Sequence, residues 1–276
     1  MNEVFPELTE DVIRRMMGAS PRLHEVMTLL VRHLHAFVRE SGLTQDEWRT
    51  GIDFLTRTGQ MCSDSRQEFI LLSDILGVSM LVDAIANKAG EGISDSTVLG
   101  PFYAGPQREL DKGESILLRE EDGEPLVMKG RVSDAGGKPI AGAKVEVWQT
   151  ATNQLYDVQD EDQPHGHLRA TFHTDARGDY EFRTIVPVSY PIPEDGPAGQ
   201  LLRSLGRHPF RPAHVHFMIS APSYRTLVTH LFLAGDPYLE SDAVFGVKPS
   251  LVVQPVQRDG LPTVEYDFGL AREQQA

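Results

Sequence analysis

The chain changes character near residue 100, and that change limits its possible folds more than any other feature. Two of eighteen prolines, Pro6 and Pro21, lie in the first hundred residues, as do eight of twenty-four glycines. Proline lacks a backbone donor and glycine loosens the backbone, so uninterrupted helices suit the first part and turn-punctuated strands the second. Leu23, Val26, Met27, Leu30, Leu34, Phe37 and Val38 recur at helical spacing, as do Phe69, Leu72, Ile75, Leu76 and Met80. Core or partner-helix packing accounts for such stripes. After Gly100 the apolar residues alternate in short runs: Leu126 to Val132, Val145 to Trp148, Leu168 to His173, Tyr180 to Val186, Ala213 to Ser220, Leu227 to Ala234 and Leu251 to Val256. Short strands without helices between them predict an antiparallel β-sandwich. The expected class is α+β, with a helical domain over residues 1–100 and a β-sandwich domain over 101–276. Pro187 to Gly206, rich in proline and glycine, reads as a long loop over the sandwich.

Charge narrows the function. Forty acidic against twenty-six basic residues leave a net charge of -14, which repels nucleic-acid phosphates and anionic lipid. The lone Cys62 cannot form an intrachain disulfide, and the acidic start MNEVFPELTEDV lacks the form of a signal peptide, so a cytoplasmic protein is expected. Residues such as Asp74 and Asp83 interrupt the apolar stretches well short of the ~20 residues that span a bilayer, so no membrane protein is expected. No P-loop, G-x-S-x-G or strand-borne G-x-G-x-x-G is present.

The sharpest chemical signal is His214-Val215-His216, because residues two apart on a strand share a face and can meet one metal ion. Spacing alone leaves metal binding and plain hydrogen bonding evenly matched. Arg211 adds a permanent cation beside the pair, and His230 falls on the strand expected next to it. His165-Gly166-His167 has the same spacing in a polar segment and reads as solvent-exposed, while His173 and His208 read as structural.

The segments STVLGPFYAGP, VEVWQTATNQLYD, TDARGDYEFRTIVPVSYPIP, RPAHVHFMISAPSY and AGDPYLESDAVFGV occur in an order that resembles the intradiol ring-cleaving dioxygenases. The resemblance implies one Fe(III) per subunit, held by Tyr156, Tyr190, His214 and His216. A tyrosinate ligand, from a phenol of pKa ~10, suits a strongly polarising, oxygen-loving cation. It further implies that the iron acts as Lewis acid and template, that Tyr190 departs to take a substrate proton, and that Arg211 stabilises negative charge. His230 stands where many members carry glutamine. EFILLSDILGVSMLVDAI and YLESDAVFGVK resemble the hydroxyquinol 1,2-dioxygenase branch, with Asp74 accepting from a third substrate hydroxyl and Leu71, Val98, Gly100, Ile192, Pro193 and Val244 lining the ring pocket. The partners so implied are an aromatic diol or triol, O₂ and a second copy of the chain, joined through the N-terminal helices around a phospholipid. Rival readings are a catechol or chlorocatechol 1,2-dioxygenase, a non-catalytic transthyretin-like sandwich, and a zinc hydrolase using the histidine pair with Asp157.

Overall fold

The structure, a computed structural model, describes residues 5–18, 20–63, 66–88 and 90–273. The chain divides into two compact units, one ending at Gln60 and the other beginning at Met61.

The first unit holds α1 (Pro6–Arg14), α2 (Pro21–Ser41) and α3 (Gln45–Gln60). Ser20 caps α2 by accepting from the Leu23 N–H, and Gly42, at φ 61°, ends it in the left-handed conformation. Thr44 and Glu47 cap α3 reciprocally, at 2.9 and 3.3 Å. Thr9 of α1 meets His35 of α2 at 2.9 Å. The predicted stripe lies on α2, but Leu23, Val26, Leu30, Leu34, Phe37 and Val38 remain 42–56% exposed and Val31 is its buried residue.

The second unit opens with α4 (Glu68–Ile75) and α5 (Val78–Ala86). Their apolar residues read as one helical stripe, yet Gly77, at φ 72°, breaks it and bends the pair by 79°. No single helix among the described residues is long and apolar enough to cross a membrane; α4 and α5 together satisfy length and composition alone. There follow β1 (Pro125–Asp134), β2 (Lys144–Trp148), β3 (Arg169–His173), β4 (Asp179–Ile185), β5 (Tyr190–Pro191), α6 (Pro197–Ser204), β6 (Phe210–Arg211), β7 (His214–Ser220), β8 (Leu227–Leu233), β9 (Val252–Val253), β10 (Val256–Arg258), β11 (Leu261–Glu265) and β12 (Phe268–Leu270).

One sheet runs β3-β2-β7-β8-β9; the other runs β10-β11-β1-β12 with β4 also on β1; β5 and β6 form a ribbon. The layered α+β class matches the expectation, with three differences. The expected loop after Pro187 contains β5 and α6, whose Pro197 opens the helix and whose Leu202 is buried. Leu251 to Val256 is no single strand, because a 3₁₀ turn over Pro249–Leu251 and the missing N–H of Pro255 divide it. The β1–β11, β1–β12 and β8–β9 pairs are parallel, since the C-terminal segment returns to earlier strands without tight hairpins.

Alternation sorts each strand of the first sheet. Val145, Val147, Val215, Phe217 and Ile219 face the core with Met128, Val132, Phe182 and Phe268, which leaves Trp148, His214 and His216 on the other face. Phe217 packs its ring 4.9 Å from Phe268 and 6.1 Å from Phe182. Truncating it empties the position directly after His216: Phe217→Ala should lower stability by about 3–5 kcal/mol in urea denaturation, with little cost if the aromatic cluster were dispensable.

Candidate active site

Strand register assembles the centre. Trp148 of β2 and His230 of β8 both pair with His216 of β7. Trp148 stacks on His216 at 4.6 Å and 14°, and the His230 ring lies 4.1 Å from His216 and 4.7 Å from His214. Tyr156 arrives from the segment after β2, where Phe102 stacks on it at 4.8 Å. Tyr190 arrives on β5, which pairs it with Arg211.

The polar atoms of the four predicted ligands meet. The Tyr156 hydroxyl lies 2.9 Å from His216 Nε2 and donates to the Tyr190 hydroxyl at 3.3 Å, and the two histidine Nε2 atoms are 3.1 Å apart. All four residues are at most 3% exposed. Burial, and then Tyr190, push the Tyr156 phenol well above its usual pKa, while Arg211 and Arg169 pull the other way. Burial drives His214, His216 and His230 well below theirs, aided by Arg211 and, for His216 and His230, by neighbouring histidines, which keeps the imidazoles neutral. His214 Nδ1 donates to the Pro212 carbonyl at 2.6 Å, so its Nε2 presents a lone pair to the cluster. His230 is fixed by Thr97 at Nδ1, and its Nε2 has no hydrogen-bond partner. The ligand atoms of His214, His216 and His230 lie within 4.8 Å of one another, which makes His230 a neighbour of any bound ion.

Arg211 is 2% exposed, with Nη1 3.4 Å from His214 Nε2. Burial opposes its charge, but Asp242, Tyr190 and Tyr156 outweigh burial and raise its pKa. Asp242 takes the opposite edge of the guanidinium, accepting from Nε at 3.1 Å and Nη2 at 3.3 Å. The same carboxylate accepts from the N–H groups of Val244 and Gly246 at 3.3 and 2.8 Å. Sequence reading passed over Asp242; the available signal was that a buried arginine requires an anion, and AGDPYLESDAVFGV offers one.

Asp74, on α4, is 2% exposed. Burial raises its pKa against opposing effects of Ser79 and Arg211, and its Oδ1 lacks a hydrogen-bond partner. Gly100, at φ 77°, lies against His216, where an added Cβ would stand 3.2 Å from Cε1. Leu71, Val98, Ile192 and Val244 are buried and Pro193 half-buried. In the chain each lies within three residues of a group described above: Leu71 of Asp74, Val98 of Thr97, Ile192 and Pro193 of Tyr190, and Val244 of Asp242.

One histidine and one carboxylate expectation change. His167 is 1% exposed rather than solvated, because Glu121 at 3.2 Å and the Leu118 N–H at 3.0 Å enclose it; His165 does face solvent. Asp157 offers no third zinc ligand, since its oxygens are committed to Arg169 at 2.5 Å and the Gly166 N–H at 2.8 Å. His208 is held by Ser241 and by the Phe210 N–H, as a structural residue would be.

Residues 98–272 match the family model described as Dioxygenase, and residues 20–93 match that described as Catechol dioxygenase N terminus. A 6-chlorohydroxyquinol 1,2-dioxygenase of Cupriavidus pinatubonensis is 51% identical over 265 residues, covering 95% of this chain and 96% of that one. A hydroxyquinol 1,2-dioxygenase of a Rhizobium species is 49% identical over 278 residues, covering 95% and 94%. The crystal structure of a hydroxyquinol 1,2-dioxygenase from Pseudomonas putida DLL-E4 aligns with a TM-score of 0.90 at 47% identity, covering 97% of this chain and 98% of that one.

Removing one partner of a buried pair leaves the other charge uncompensated. Asp242→Ala should therefore cost about 3–5 kcal/mol in denaturant unfolding at neutral pH, and a loss under ~1 kcal/mol would show that Arg211 does not depend on it.

Proposed function

Because this chain belongs to the intradiol ring-cleaving dioxygenases, we propose that it opens hydroxyquinol, benzene-1,2,4-triol, between its adjacent hydroxylated carbons. Both atoms of O₂ enter the product, 3-hydroxy-cis,cis-muconate, which tautomerises to maleylacetate. The observation that carries the substrate choice is Asp74, a buried carboxylate with one oxygen lacking a hydrogen-bond partner, on a helix that also buries Leu71, Leu72 and Ile75. An unpartnered carboxylate oxygen is costly to bury, and a third substrate hydroxyl supplies the missing donor. The similarity to proteins named for hydroxyquinol and its 6-chloro derivative supports the same choice.

One ferric ion per subunit fits Tyr156, Tyr190, His214 and His216. The fit rests on converging donor atoms: His214 Nε2 presents its lone pair inward, His216 Nε2 lies 3.1 Å from it, and the two phenol oxygens complete the set. Phenolates with imidazoles suit Fe(III) better than zinc, which favours histidine and cysteine. When bound, the ferric ion supplies Lewis acidity and accepts charge from an aromatic diolate. Tyr190 Oη takes one substrate proton. Arg211, oriented by Asp242, turns its Nη1 side towards His214 and stabilises negative charge there. His230, held by Thr97, keeps Nε2 available for a hydrogen bond to substrate. Leu71, Val98, Gly100, Ile192, Pro193 and Val244 shape a flat apolar slot for the ring.

The exposed apolar stripe on α2 supports a homodimer through the N-terminal helices, with a phospholipid against the same apolar surface. A cytoplasmic location accords with the single Cys62. Light scattering at micromolar concentration should give twice the 30.7 kDa chain mass, and a monomer would count against the dimer.

Enzyme-dependent O₂ uptake is to be compared for hydroxyquinol and catechol, with products identified by mass and autoxidation subtracted using Tyr156→Phe. A strong preference for hydroxyquinol is expected. A preference for catechol, with muconate as product, would keep the ring-cleaving chemistry and discard the substrate assignment. Asp74→Ala should reduce the ratio of specificity constants about 10- to 100-fold, the worth of a hydrogen bond to a charged group at ~1.5–3 kcal/mol; an unchanged ratio would remove Asp74 from substrate recognition.

A further inference from the structure

Arg169 is the first residue of β3, and register sets it beside Trp148 of β2, which in turn pairs with His216. Arg169, Trp148, His216 and His230 thus form one row across four neighbouring strands. Three of the four belong to the centre already described, and the fourth is a cation. The Arg169 guanidinium carbon lies 5.6 Å from the centroid of the Tyr156 ring. Its Nε donates to Asp157 at 2.5 Å, with side chains 2% and 0% exposed. Asp157 is the residue after Tyr156 and is itself anchored by the Gly166 N–H at 2.8 Å.

A purely structural pair accounts poorly for this arrangement. Burying an ion pair costs desolvation that well-packed apolar residues of similar volume would avoid, so its stabilising value is small. The Nη2 atom also remains without a hydrogen-bond partner, so the guanidinium is not committed on every side. What the pair does provide is a fixed positive charge by one aromatic ring in a buried, weakly screened setting.

We propose that Arg169, held by Asp157, is a positioning residue for Tyr156: it fixes the plane of the phenol ring and draws electron density from the oxygen that would bind the metal. This inference rests on the iron-site reading above. Through it the row of paired strands connects Tyr156 to the histidines: Trp148 sets the His216 ring, and Arg169, its strand neighbour, sets the tyrosine ring. Asp157 moderates the effect by offsetting part of the positive charge.

The test is the visible tyrosinate-to-Fe(III) charge-transfer band, together with ferric affinity measured by competition with a chelator. Arg169→Gln removes the cation, raises the energy of the phenolate electrons and should move the band to longer wavelength. Asp157→Asn leaves the cation unbalanced and should move it to shorter wavelength. Ferric affinity should fall about 10- to 100-fold in Arg169→Gln, the usual effect of losing a group that orients a metal ligand. A structural ion pair alone would lower stability and leave the band in place. Near-UV circular dichroism establishes that each variant is folded, and if Arg169→Gln does not fold, Asp157→Asn decides. Folded variants with the wild-type band and wild-type affinity would overturn the proposal. A wild-type protein that binds no Fe(III) and stays colourless would instead overturn the iron reading, and this proposal with it.

Discussion

The pairing of β7 between β2 and β8 is the constraint on which the centre depends. It sets His216 between Trp148 and His230 and carries His214 one pleat further along the same face. A slip of one residue would turn both histidines into the sandwich core and bring Val215 and Phe217 out. The aromatic packing of Phe217 against Phe182 and Phe268 opposes that slip, so the interior of the sandwich and the chemistry on its outer face are secured by one register.

Around that register the protein buries charge in pairs. Asp242 balances Arg211, and Asp157 balances Arg169, each through a carboxylate that also accepts backbone N–H donors. Each pair therefore ties a loop to a strand as well as compensating a cation. Asp74 differs, since one of its oxygens is left without a hydrogen-bond partner and burial works against its ionisation. Such an incomplete polar group is stable only because the surrounding packing holds it, and it is where ligand chemistry is best sought.

The N-terminal helices pose a different problem. Their apolar residues have the periodicity of a packed face, yet much of the α2 stripe stays exposed. Periodicity records that a face will be covered and says nothing of what covers it. The same limit shows at Gly77, where one apolar rhythm runs through two helices because the rhythm is blind to a left-handed backbone residue.

Local pattern was sufficient for the change of class near residue 100, for the strands around Val145, Tyr180 and His214, and for the two histidines on one face, since alternation and turn residues act over a few positions. Family resemblance added Tyr156, Tyr190 and Asp74, which no spacing rule joins to a histidine pair 24 or more residues away. Helix α6, the divided strand after Pro249, the enclosure of His167 and the service of Asp242 and Asp157 to buried arginines appeared only in three dimensions. Sequence by itself determined the change of class, the main strands and which side chains of a strand share a face, because those depend on neighbours in the chain. Tertiary structure decided which charges are balanced and which donor atoms meet, because burial and partnership are set by residues tens of positions apart.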